Sequence, residues 1–264
     1  MTTSATGVRV HAWSTEEKRI IVAAARQVPK RWIDDVWTLS VHEDSLDLYE
    51  RLANNHWVRD RGGRTRLIVC GAVLANLECA IRMLGWAPLT DLSCDVLAMD
   101  RVARLTARRR TRPVAADFAR FAALSGRRTK PAPSSVSAWG RDVAEATEGG
   151  GIRVRMLTPS DVRDLPKVGR QVARKVTPEA SWTAFLVTTV TESREQLVRS
   201  GAVAQRLLLA ATEYGLEGTA FTEPFDAPAI RGALAAIDGV PGFPQMVVVV
   251  EEPRKTPAQK GRTS

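Results

Sequence analysis

The chain has 264 residues, 44% of them hydrophobic and 25% charged, enough to bury one substantial core or two modest ones packed together. No apolar run reaches the roughly 20 residues that span a bilayer, and residues 1–19 hold neither an apolar segment nor a small-residue cleavage site, so a cytoplasmic protein with no membrane partner is expected. The net charge of +9 sits in one stretch: residues 101–130 carry ten Arg and Lys against the single acid Asp117, and the rest of the chain is neutral overall.

Read in order, Ser14 or Thr15 caps a helix from about Thr15 to Gln27, with Glu16 and Glu17 at its positive end and Pro29 beyond it. Val36 to Val41 alternates as a strand does, Glu43-Asp44 turns the chain, and Leu46 to Tyr49 returns, which gives a β-hairpin. Arg64 to Leu84 forms a long helix with Cys70, Val73, Leu74, Leu77, Ala80, Ile81 and Leu84 on one face and Gly85 at its stop. Trp86 to Leu97 reads as a strand. Arg101 to Arg112 is expected as a basic helix ending before Pro113, and Asp117 to Leu124 as a short helical turn.

Ser125 to Ser137, SGRRTKPAPSSVS, has the composition of a linker. It divides the chain into a first half, 1–124, and a second, 138–252, which a basic tail of disordered composition follows, 253–264. In the second half Trp139 to Ala146 is helical, Gly149-Gly150-Gly151 breaks it, Ile152 to Leu157 alternates as a strand, and Thr158 to Asp161 caps a helix through about Lys175. The β-branched strand Ala184 to Val190 leads into Leu197 to Tyr214, a helix apolar or small on nearly every side and so buried on more than one face. Gly201 within it marks a close helix contact, because glycine there costs roughly 1 kcal/mol against alanine. Gln245 to Val250 is a central strand. The order strand, long buried helix, strand thus recurs in both halves.

His11, His42 and His56 have no metal-ligand spacing, and Cys70, Cys79 and Cys94 fit no zinc or disulfide pattern. There is no Gly-x-Ser-x-Gly elbow and no Gly-Lys-Ser/Thr phosphate loop. Gly149-Gly150-Gly151 lacks the context of a dinucleotide fingerprint. Nothing therefore points to metal or hydrolytic chemistry, and no residue stands out as catalytic. The arginine-rich block is either a solvated connector or a binder of phosphate, nucleic acid or another polyanion.

Several blocks, taken in order, carry a resemblance: Leu46-Asp47-Leu48-Tyr49; Gly63-Arg64 with Cys70-Gly71-Ala72 and Leu84-Gly85-Trp86; Arg108-Arg109-Arg110-Thr111; Gly201 through Gln205-Arg206 to Leu207-Leu208-Leu209, Ala211-Thr212 and Gly215-Leu216; and Gly242, Pro244, Gln245 and Met246. From about Ala23 to Val250 the chain resembles the Acg-type branch of the nitroreductase superfamily, actinobacterial proteins in which two nitroreductase-like halves are fused and enclose an FMN. The resemblance implies an α+β fold whose two tandem halves form a pseudo-dimer, so that either a monomer or a homodimer is expected. It also implies FMN between the halves, NAD(P)H as electron donor, and a nitroaromatic, quinone or similar small molecule as acceptor. Arg108, Arg109, Arg110 and Thr111 are the candidates for the flavin phosphate, since guanidinium groups bind phosphate through paired, charge-assisted hydrogen bonds.

The pocket residues depart from the family more than the scaffold does. Members carry a segment like Ala-Pro-Ser-Val-His-Asn-Thr-Gln-Pro-Trp before the first strand, where polar groups meet the flavin; Val28 to Trp37 keeps only Pro29 and Trp37 of it. The arginine and glycine usual at the end of the last strand are Val249 and Glu251, and the stretch between Lys175 and Ala184 is shorter than the family's lid. Three expectations stand side by side: an active FMN-dependent oxidoreductase; a scaffold that holds flavin without catalysis or has lost it; and salt-sensitive polyanion or nucleic-acid binding through the arginine-rich segment.

Overall fold

The structure, a computed structural model, describes residues 10–29, 36–51, 60, 62–92, 99–164, 170, 172, 181–226, 231 and 242–253. Helix α1 (Thr15–Ala25) precedes the hairpin β1 (Trp37–Val41) and β2 (Ser45–Glu50), the long helix α2 (Arg64–Met83), and strands β3 (Trp86–Asp91) and β4 (Arg101–Arg110). Helix α3 (Ala115–Leu124) follows. The second half runs α4 (Val136–Thr147), β5 (Ile152–Leu157), a short α5 (Pro159–Asp164), β6 (Trp182–Thr189), the long helix α6 (Arg194–Glu213), β7 (Glu217–Phe221) and β8 (Phe243–Glu251).

Both halves build a four-stranded antiparallel sheet in the same order, β1-β2-β4-β3 and β5-β6-β8-β7. With α3 and α5 set aside, each half is helix, antiparallel strand pair, long helix, two strands. The long helices are both 20 residues, and arginine opens each (Arg64, Arg194), glycine sits at each eighth position (Gly71, Gly201), and a left-handed glycine ends each (Gly85, Gly215).

These helices pack against each other at the centre of the molecule. A Cβ at Gly71 would overlap the Val198 carbonyl oxygen, and one at Gly201 would overlap the Ile68 carbonyl oxygen, so the reciprocal contact admits no side chain at either glycine. Further along, Asn76 meets Gln205 and Glu78 meets Arg206. The contacts advance along both helices together, so α2 and α6 run side by side in the same direction. Their apolar residues enter the cores of both halves: Leu197 and Val198 pack with Leu67 and Cys70, while Ile68, Val69 and Ala72 pack with Phe185, Val187 and Val248.

Residues 101–110 are a strand, not the expected basic helix. Arg101, Arg104 and Arg108 recur at helical spacing, but Val102, Ala103, Leu105 and Ala107 are the buried positions, and β4 is central between β2 and β3. Arg104 donates to both oxygens of Asp47 on the neighbouring strand at 2.7 Å. The expected linker is fastened to the fold as well: the N–H groups of Thr129 and Lys130 donate to the Glu213 carbonyl at 2.9 and 2.8 Å. Strand β7 was not expected at all; it is an edge strand held by β8. Among the described residues no helix is long and apolar enough to cross a membrane.

Candidate functional site

A cleft of 520 Å³ opens where the halves meet, between α2, α6, the end of β3 and the turn that joins α4 to β5. Leu74, Ala202 and Val203 of the paired helices and Leu92 and Ile152 beside them give it apolar surface, and Gly149 and Gly150 form the turn. Both glycines have positive φ, 143° and 59°, which lets the chain reverse within the turn.

Its charges are mostly acidic and largely engaged. Glu78 accepts from Arg206 Nη2 at 2.8 Å and from Thr90 Oγ1 at 2.9 Å. Arg199 is paired to Glu195 at 2.7 Å, one helical turn away. Glu148 accepts the Val154 N–H at 2.9 Å, and Asp91 completes the set. Four carboxylates thus face two guanidinium groups, each of which already has a carboxylate partner. That donor set does not fit the phosphate of a flavin mononucleotide.

The repeat gives each of these charged residues a counterpart in the other half, and the counterparts differ in chemistry. The residues that match Glu78, Asp91, Glu195, Arg199 and Arg206 are Leu208, Phe221, Thr65, Val69 and Asn76, all uncharged. Each of these is buried. The fully buried Asn76 accepts from Gln205 Nε2 at 2.9 Å, while Asn76 Nδ2 and Gln205 Oε1 have no partner among the described residues. Val28 and Trp37, at the two ends of the segment 28–37, pack against the adjoining core; Trp32, Asp34 and Asp35 lie outside the described residues.

At the N-terminal ends of the helices each opening arginine reaches into the other half. Arg64 Nε donates to Gln245 Oε1 at 2.9 Å and Nη2 to the Gln245 carbonyl, while Gln245 Nε2 donates to Thr189 Oγ1 at 3.0 Å. Arg194 pairs with Glu50, which also holds Arg66 at 3.3 Å; Asp60 accepts the N–H groups of Thr65 and Arg66. Arg194 Nη2 is buried without a partner. These cations sit at the positive ends of two parallel helices, where an anionic group is favoured.

Arg108, Arg109, Arg110 and Thr111 are at the opposite, C-terminal end. Arg108, Arg109 and Arg110 are exposed, and Thr111 donates its N–H to the Gly85 carbonyl at 3.0 Å. The Arg110 guanidinium lies 4.3 Å from the centre of the Trp86 ring, which stacks on His11 at 3.8 Å. His11 and Trp86 Nε1 both bond to Glu17, at 3.0 and 3.1 Å. Partial burial raises the Glu17 pKa, but hydrogen bonds from Ser14, His11 and Trp86 outweigh it and hold the group at about 2. The cleft begins at Thr90, at the other end of β3, so these four residues are not brought to it.

Sequence reasoning passed over Asn76 and Gln205. The available signal was an amide in the apolar stretch of each helix, Asn76 in α2 and Gln205 in α6, a costly placement unless it has a partner. The two thiols with described surroundings are inert: burial pushes Cys79 up to about 12 and Cys70 higher still. Among the described residues no group of His, Cys, Asp and Glu could hold a metal ion.

No family model matches the chain. In sequence it is 25% identical, over 303 aligned positions, to proteins assigned as NAD(P)H nitroreductases in two strains of Mycobacterium tuberculosis; the alignment covers 92% of this chain and 87% of the relative. In structure it superposes on a protein from Anabaena variabilis, also assigned as a nitroreductase, with a TM-score of 0.59 at 11% identity, covering 80% of this chain and 69% of that one. The fold is nitroreductase-like. Within it, the paired helices α2 and α6 are what the two halves build jointly.

Proposed function

We propose that the chain is a nitroreductase-like oxidoreductase, in which two fused halves take the place of two subunits and a flavin binds between them. The observation that carries this reading is the repeated unit joined at Gly71 and Gly201, which gives one chain the paired-helix centre that a dimer would otherwise supply. The relatives assigned as NAD(P)H nitroreductases support NAD(P)H as donor. A nitroaromatic, quinone or similar small molecule is the acceptor.

Of the two sets of repeat-related residues, the uncharged one is the less hostile to a phosphate-bearing flavin, since it brings no carboxylate. Among those residues the unpartnered Nδ2 of Asn76 is a donor for a polar edge, and Arg194 Nη2 at the helix ends is a donor for phosphate. The chemistry a flavin supplies there is transfer of hydride from NAD(P)H and of electrons onward to the acceptor. The acidic cleft supports a second reading, that flavin binding has been lost and the scaffold alone remains. The two separate on one assay. Oxidation of NADPH by the purified protein with added FMN and a quinone or nitroaromatic acceptor is expected; no turnover above the protein-free control supports the second reading.

A further inference from the structure

Helix α3 lies across the C-terminal ends of the paired helices, and its outer side carries no charge. Val114 is 59% and Phe118 54% exposed, one helical turn apart, with Ala115 and Ala116 exposed beside them. The two charged residues of α3 are both engaged: the Asp117 carboxylate accepts the Val114 N–H at 2.9 Å, and Arg120 Nε donates to Glu213 at 3.2 Å. A solvated helix ordinarily shows polar residues outward, so this face is built to be covered.

Cations flank it on both sides. Arg108, Arg109 and Arg112 precede the helix and Arg127 follows it; all four are exposed and have no acidic partner among the described residues. Arg110, stacked on Trp86, and Arg128, lying against Gly215, add to the same end. The strand character of β4 is what brings Arg108 and Arg109 here, because β4 ends beside Gly85 at the base of α3. Exposed cations are thus gathered at this end of the molecule, beside an apolar helix face.

We propose that this end docks on an anionic lipid surface, with Val114 and Phe118 entering the headgroup region and the flanking arginines on lipid phosphates. Charge complementarity selects the occupant. Nucleic acid would call for aromatics interleaved with the cations, and Phe118 is the only exposed aromatic on the helix. The attachment is peripheral, an apolar patch and a polybasic rim each contributing part of the affinity.

The test is co-sedimentation of the full chain with vesicles of phosphatidylcholine alone and of an equimolar mixture with phosphatidylserine. Binding to the mixed vesicles only is expected, and it should weaken as salt rises. Each basic residue near such a surface contributes roughly fivefold, so the triple variant Arg108→Ala/Arg109→Ala/Arg112→Ala should lose on the order of a hundredfold in affinity. Phe118→Ser should also weaken binding, and melting temperature checks that both variants keep the fold. No binding, or equal binding to both vesicles, overturns the proposal. So does an arginine-dependent affinity that Phe118→Ser leaves unchanged, which would mark a general polyanion site such as one for nucleic acid. Self-association lost in Phe118→Ser, without vesicle binding, would assign the face to a second copy of the chain.

Discussion

Asn76 and Gln205 meet at 2.9 Å in the helix interface, and each keeps one polar atom without a partner among the described residues. An unmet buried donor or acceptor costs about 1–3 kcal/mol. Asn76→Leu leaves both polar atoms of the buried Gln205 unpaired, so it should lower stability by about 1–3 kcal/mol, whereas Asn76→Leu/Gln205→Leu, which removes both amides, should recover part of that loss; both variants should retain less added FMN, and normal retention in either would make Asn76 structural. Glu17 stands in the opposite condition, with donors from Ser14, His11 and Trp86. Its pKa is depressed from 4.5 to about 2, so the stability it contributes is present above about pH 4.5 and is lost as the pH falls toward 2. Glu17→Gln should lower stability by about 1 kcal/mol at neutral pH and flatten that acid limb, as denaturant melts across the range would measure. An unchanged acid limb would show that the cluster around Trp86 does not depend on this carboxylate.

The contact between α2 and α6 depends on two glycines, because backbone oxygen occupies the space a Cβ would need. Gly201→Ala and Gly71→Ala should each destabilise by about 3 kcal/mol, at the upper end of overpacking, and the cost should exceed that of alanine at the exposed Gly126. Calorimetry of the three variants checks this, and equal melting would mean that the helices can separate freely. The Gly201 contact was legible in the sequence, as were the buried helices, the hairpin and the central last strand, because period and caps carry them. Strand β4 was not legible, since arginines at helical spacing imitate a helix when the flanking alanines and Leu105 are equally at home in either. Nor was β7, whose Glu-Gly-Thr start has no alternation and whose strand form comes from pairing with β8. The site was the least legible part. Asn76 becomes a candidate only when Gln205, 129 residues away, buries it.

At the scale of the whole molecule, the repeat gives one chain two positions of opposite character. One is an acidic cleft of 520 Å³ with its guanidinium groups already paired; at the other, the counterpart residues Val69, Leu208 and Phe221 are uncharged and buried. That difference in charge is the ground on which the proposed flavin is placed at the uncharged one. The measurement that reaches this most directly is the visible absorption spectrum of the protein after incubation with FMN and gel filtration, for the parent chain and for Arg194→Ala. A retained flavin band in the parent, weakened in Arg194→Ala but not in Arg199→Ala of the acidic cleft, is the expected result. A colourless parent, or a band that only the Arg199 variant diminishes, would contradict it.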